Sequence, residues 1–203
     1  LKTLDDYVQR FAKDAPQFTP GSQDSYSNYG FIVLGRIIEA VSGQSYYAYV
    51  DEHILRPAGM TGTGFEPETV SVPQRAVAYT KKDGQWVRET KSLPWRGMSA
   101  GGGYSTVADM VKFAGALQSG KLVSPALLKQ ATTAQNHKGW YGFGFVVQGK
   151  GREHQYGHEG GAPGSNSAIV VMPAQGYVIV GLANVDPDAI GNVVNYIARR
   201  VPL

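Results

Sequence analysis

The hydrophobic period changes along this chain, and that change limits the folds open to it. From Leu4 to about Leu128 apolar residues recur mainly at three- and four-residue spacings, the mark of helices that bury one face. One alternating stretch, Ala76 to Arg88, interrupts them and turns at Asp83-Gly84 like a hairpin. From Trp140 onward the period is that of strands: Trp140 to Gln148, Ser167 to Met172 and Tyr177 to Ala183, the last two joined by a turn at Pro173 to Gly176. A closing helix follows. An antiparallel three-strand meander set between helices is an α+β pattern, with about residues 1–135 mostly helical and about 136–203 forming strands and the last helix of one domain.

Local signals place the helices. Thr3-Leu4-Asp5-Asp6 has the form of a capping box ahead of Leu4, Val8 and Phe11. A second helix is expected from about Tyr29 to Ser42, burying Phe31, Leu34, Ile38 and Val41 and stopped by Gly43. Ser45 caps a third, which is expected to end before Pro57. Thr106-x-x-Asp109 is a second capping box, opening a helix through Met110, Phe113 and Leu117, and Ser124-Pro125 starts a short one. Asp186-Pro187-Asp188 is expected to cap the closing helix, with Ile190, Val194 and Ile197 inward and Arg199-Arg200 in its last turn.

Composition removes several classes of function. A net charge of +3 with 17% charged residues, and no run of Lys or Arg longer than a pair, is no footprint for nucleic acid. A hydrophobic fraction of 42% argues for a packed core. No apolar stretch approaches the roughly 18 residues that span a bilayer. Cysteine is absent, which excludes disulfides, thiolate metal sites and a Cys nucleophile. Glycine, at 26 of 203 residues, is well above the usual ~7% and predicts tight turns and close backbone approaches. The chain opens on Leu1 directly in helix-like sequence, as if its natural beginning were removed, so a signal peptide is neither present nor excluded.

Two segments concentrate polar residues and glycine where packing alone would not. The first runs from Pro20 to Gly30 and contains Tyr26-Ser27-Asn28 at a helix mouth. A phenol there can relay a proton, and an amide can hold a carbonyl or orient its neighbours. Ser27 or Asn28 also serves simply as an N-cap, with Tyr26 a half-buried aromatic. The second runs from Tyr156 to Asn166 and contains His158-Glu159-Gly160-Gly161. Free N–H groups beside glycines can donate to a developing oxyanion, and the histidine can bond to a substrate carboxylate. The plainer alternative is a glycine-rich turn with an incidental histidine. His154 and His158 are four apart, the separation of a helical metal pair, but Gly157, Gly160 and Gly161 argue against a helix, and in a strand the two side chains would lie roughly 13 Å apart. His53 and His137 lack a partner nearby in sequence and read as surface or satisfied core residues.

In this order, these segments resemble the serine β-lactamase and penicillin-binding-protein superfamily, on its class C and esterase-like side. Phe18 to Met60 is similar to the family's Pro-Gly-x-x-x-x-Tyr-Ser-Asn block, its helix and its Pro-x-Gly-Met loop. Ala100 to Leu122 resembles its glycine turn and following helix, and Tyr141-Gly142-Phe143-Gly144-Phe145 and Gly157 to Gly161 its late strand and third motif.

The resemblance implies a β-lactamase/transpeptidase-like fold and a serine hydrolase that transfers acyl groups from an ester, amide or peptide without metal or organic cofactor. By the same carry-over Tyr26 is the general base and acid, and Asn28 contacts substrate and the catalytic lysine. His158 and Gly160 stand for Lys-Thr-Gly in His-x-Gly form, and Gly161 supplies an oxyanion-hole N–H. Histidine in place of lysine favours esterase, D-aminopeptidase or DD-peptidase substrates over potent β-lactam hydrolysis. No serine of the chain has Lys three positions on; Ser119-Gly120-Lys121 falls one short. The chain therefore reads as the C-terminal portion of such an enzyme, inactive alone. Its open sheet edge and apolar face would be covered by an N-terminal fragment or another copy, and the parent would be periplasmic or secreted. A non-catalytic module that holds a peptide or cell-wall fragment in the same cleft, and an incomplete product without independent function, are the competing readings.

Overall fold

A computed structural model describes residues 1–202. Helix α1 (Leu4–Phe11) starts in the expected capping box: Asp6 N–H donates to Thr3 Oγ1 and Thr3 N–H to an Asp6 carboxylate oxygen, each at 3.0 Å. It lies on α2 (Asn28–Ser42), where Leu4, Ile32 and Met98 form one buried cluster flanked by Tyr7, Val8, Tyr29 and Tyr46.

The face that α2 buries differs from the expected one. Ile32 and Gly35 point inward, whereas Leu34 is 53% and Val41 80% exposed. Apart from Arg36 and Glu39 the helix carries no charge along its length, so its period cannot choose a face. Close approach chooses it: a Cβ on Gly35 would lie 2.3 Å from Ser99 Oγ, and only the glycine side fits against that turn.

Helix α3 (Tyr46–Val50) continues through a π turn at Asp51–Leu55 into α4 (Arg56–Ala58), so the helix passes Pro57 instead of ending before it. In the π turn Arg56 N–H reaches Asp51 O, a wider ring than the α pattern, which relieves the clash a proline ring makes with the carbonyl four residues back. The hairpin is as expected: β1 (Tyr79–Lys82) pairs with β2 (Gln85–Arg88) across Asp83 and Gly84, both at positive φ.

Helices α5 (Val107–Gln118) and α6 (Pro125–Ala131) follow. Thr106 caps α5, accepting from Asp109 N–H, but the reciprocal half of the box is not made. Asp109 is buried, accepting from Gly62 N–H at 2.7 Å, Thr63 Oγ1 at 3.0 Å and Lys112 Nζ at 2.8 Å. Burial opposes its charge, yet Lys112 and those donors hold the carboxyl below the ordinary carboxylate range.

The sheet has four strands, not three, in the order β3 (Val146–Gln148), β4 (Gln155–Ala162), β5 (Ser165–Met172) and β6 (Tyr177–Ala183), all antiparallel. Strand β4 occupies the glycine-rich segment that the three-strand reading left out, and rules out the plainer alternative of a turn there. Its glycines lower strand propensity, which hides it from the sequence, but the sheet requires Gly157: a Cβ there would meet Ile169 O at 1.8 Å. The strand expected over Trp140–Gln148 shrinks to its last three residues. Tyr141–Phe145 forms a tight loop in which Gly142, whose Cβ would lie 2.1 Å from Ala131 O, tucks under the end of α6.

Alternation along β5 puts helices on both faces. Val171 packs with Tyr156 of β4 and Ala114 of α5. Asn166 and Ala168, on the other face, meet α7 (Ala189–Ala198), whose Ile190 and Val194 press on Gly181 of β6. In α7, Gly191, Val194 and Ala198 are buried, while Ile197 is 42% exposed instead of inward. The helix ends at Ala198, so Arg199 and Arg200 follow it. Its N-terminus is not capped by the Asp186-Pro187-Asp188 run. Asp186 accepts from Lys81 and Gly164 N–H, and Asp188 makes no side-chain cap. The buried Asn166 caps instead, its Oδ1 accepting from Ile190 N–H at 2.8 Å and Gly191 N–H at 3.2 Å while its Nδ2 donates to Gly160 O at 2.9 Å. Asn166→Ala orphans these groups. It is expected to cost about 2–3 kcal/mol, read as a lower urea midpoint at unchanged slope.

Candidate active site

Ser27 caps α2 by accepting from Gly30 N–H at 3.1 Å, which leaves Tyr26 just outside the helix and Asn28 on its first turn. The Tyr26 hydroxyl donates to Asn28 Oδ1 at 3.2 Å, and the ring is 49% exposed, so the phenol is open to a ligand. One end of a cleft of about 590 Å³ is formed here, lined by Phe18, Asp24, Tyr26, Phe31, Trp140 and Tyr141.

The sheet delivers the histidine to the same place. In β4, His158 lies opposite Ile169 and shares the face of Tyr156, the face turned toward the helical part of the chain. The rings of Tyr26 and His158 are 6.0 Å apart, Tyr26 and Tyr141 5.9 Å, and Tyr141 and His158 5.7 Å. Of the five residues the sequence singled out, Tyr26, Asn28 and His158 are thus brought together from opposite ends of the chain.

Gly160 and Gly161 stand farther along β4, where only one neighbour pairs with it. Strand β3 meets β4 at Gln155 to Gly157 and β5 runs beside it to Ala162, so the other edge of residues 158–162 carries no strand among the described residues. Gly161 has Pro187 packed against its α carbon, where a Cβ would lie 2.5 Å from Pro187 Cγ. Gly160 hangs from Asn166 through its carbonyl.

Sequence reasoning missed Tyr141 as a member of the cluster. Its hydroxyl lies 2.9 Å from His158 Nε2, and His158 Nδ1 lies 2.6 Å from Glu159 O. The signal available was the glycine pair on either side of Phe143. Gly142 and Gly144 (φ +81°) turn the chain sharply enough to aim the preceding tyrosine at β4. Asn136 Oδ1 accepts from the N–H groups of Trp140 and Tyr141, each at 3.0 Å, and fixes that loop. His137 is a surface residue, 71% exposed at its side chain, with Asp24, far away in the chain, 3.4 Å from its Nδ1.

Burial, and secondarily the neighbouring Tyr26 phenol, push the Tyr141 hydroxyl up to about 12. Because this exceeds the value of about 10 for a free phenol, the contribution to stability is complete below pH 10 and is lost as pH rises through 12. Tyr141→Phe should therefore remove one phenol from the highest-pH wave of a spectrophotometric titration.

The comparisons with known proteins fit this architecture. PbpX of Bacillus subtilis (strain 168), named for penicillin binding, is 31% identical over 198 residues, covering 96% of this chain and 49% of that protein. The crystal structure of a penicillin-binding protein from Bacillus halodurans superposes with a TM-score of 0.89 at 28% identity, covering 98% of this chain and 63% of that one. A D-stereospecific amidohydrolase from Streptomyces sp. superposes at 0.82 with 25% identity, over 99% of this chain and 62% of that one. The chain spans about half the length (49%) of the first of these relatives. The family model described as beta-lactamase matches residues 1–201, and with the Tyr-Ser-Asn mouth of α2 facing the His-x-Gly strand, the chain belongs to the beta-lactamase family.

Proposed function

We propose that this chain carries the proton-transfer and substrate-holding half of a serine acyl-transfer site acting on an amide, peptide or ester. The observation that carries the reading is the convergence of Tyr26, hydrogen-bonded to Asn28, with His158 beside the unpaired edge of β4. In this reading a serine attacks the carbonyl carbon, Tyr26 takes and returns the proton, and the carbonyl oxygen becomes an oxyanion held by the Gly161 N–H. The leaving group departs with the proton from Tyr26, and water then releases the acyl group from the serine. Asn28 holds substrate and the lysine of the nucleophile motif. His158 and Gly160 contact the substrate's far side.

The glycines suit such a role physically. A substrate backbone can approach the free edge closely at Gly160, which presents no side chain, while at Gly161 the missing side chain makes room for Pro187. The nearness to a D-stereospecific amidohydrolase supports amide and peptide substrates, and the histidine in place of lysine supports them over β-lactam turnover.

The Ser-x-x-Lys pair is not among the 203 residues, and in this reading it is contributed by polypeptide outside them. That polypeptide is also the proposed cover for the free edge of β6 and for the wetted apolar face of α2, where Leu34, Ile37 and Val41 stand exposed. An exported setting, periplasmic or secreted, completes the reading; the absence of cysteine and the kinship to a penicillin-binding protein support it.

The natural polypeptide that contains this chain should be covalently acylated by a penicillin or fluorophosphonate probe, seen by intact mass. The 203 residues alone should gain no mass. Tyr26→Phe should slow acylation by about two to four orders of magnitude while leaving the fold intact, since the ring is half exposed. Undiminished acylation in that variant would remove Tyr26 from the mechanism.

A further inference from the structure

We propose that Tyr141 is the positioning residue for His158, fixing both its tautomer and the angle of its ring beside Tyr26. The argument follows from what each neighbour can do. Glu159 O is a carbonyl and only accepts, so the 2.6 Å contact requires that His158 Nδ1 carry a hydrogen. In the neutral imidazole Nε2 is then the lone-pair nitrogen, and at 2.9 Å the Tyr141 hydroxyl donates to it. Each ring nitrogen is thus held by one group, one from its own strand and one from the loop before β3. The phenol suits the part because burial keeps its proton in place across the neutral range.

The geometry separates the roles of the two tyrosines. Tyr26, exposed, gives its hydroxyl to Asn28; Tyr141, half-buried, gives its own to the histidine and meets that ring edge-on at 83°. Tyr141 in turn is anchored through its backbone, where Asn136 Oδ1 takes its N–H and its carbonyl accepts from Gln135 N–H at 2.8 Å. The histidine is therefore tied, through Tyr141, to a loop that is itself hydrogen-bonded to Asn136 and Gln135. That His158 faces substrate rests on the functional reading above; the tautomer and its cause do not.

The test is nitrogen NMR of protein labelled with ¹⁵N-histidine, at neutral pH. The expected spectrum of the wild type has His158 Nδ1 in the protonated, pyrrole-like range and Nε2 in the pyridine-like range, shifted by an accepted hydrogen bond. In Tyr141→Phe, Nε2 should move to the position of an unbonded nitrogen and the other tautomer should become populated. A wild-type Nε2–H tautomer, or superimposable spectra of the two proteins, would overturn the proposal whatever the enzyme does.

Kinetics of the acylating polypeptide form the second arm. Tyr141→Phe should lower the acylation rate about ten-fold, as expected for one lost hydrogen bond to a working group, and should cost nothing further in a His158→Gln background. Additive losses would overturn action through the histidine. If no probe acylates any form while the NMR result stands, the functional reading fails and the positioning role survives.

Discussion

One buried amide side chain ties the glycine-bearing end of β4 to the last helix. Asn166 holds the carbonyl of Gly160 with its nitrogen and the first free N–H groups of α7 with its oxygen. A helix start and a strand backbone, each with polar groups that burial would leave expensive, satisfy one another through a single residue of β5. The consequence is directional. The stretch of β4 from His158 to Gly161 is held from the α7 side and from β5, so its opposite edge and the His158 face stay available to whatever enters from the helical part.

The same arrangement explains why aromatic rings gather where they do. Strand alternation sends His158 to the face of Tyr156 and Ile169, and Glu159 to the opposite face, where Asn195 donates to its carboxylate at 2.8 Å. A loop with glycines at 142 and 144 then brings Tyr141 across, and the cap at Ser27 holds Tyr26 at the lip of α2. The cluster is assembled from three backbone devices of different kinds: a pleat, a sharp loop and a helix cap.

Much of this was readable from the residues. The caps at Thr3, Ser27, Ser45 and Thr106, the Asp83-Gly84 hairpin and the closing helix all follow local chemistry, and the motifs single out Tyr26, Asn28 and His158, which the fold places side by side. What could not be read depends on contacts distant in sequence. Strand β4 was hidden because its glycines serve close packing against β5, which propensity counts as a fault. The inward face of α2 was misjudged because an almost uniformly apolar helix offers no contrast, and Gly35 decides by fitting Ser99. The cap of α7 comes from Asn166 on another element, and no spacing rule reaches that far. Tyr141 escaped for the same reason: its partner lies across a turn and a strand.

The division between exposed and enclosed positions has an evolutionary edge. The backbone approaches at Gly157, Gly142 and Gly181 admit no side chain, so substitution there is paid in folding and purged as such. Tyr26, by contrast, stands half in solvent and supports no core. Under the proposed mechanism, drift at that position would silence the proton relay while the body stays folded. A lineage of this architecture working by that mechanism would therefore lose its chemistry in one step and keep the cleft, which leaves a folded receptor available for recruitment to binding alone.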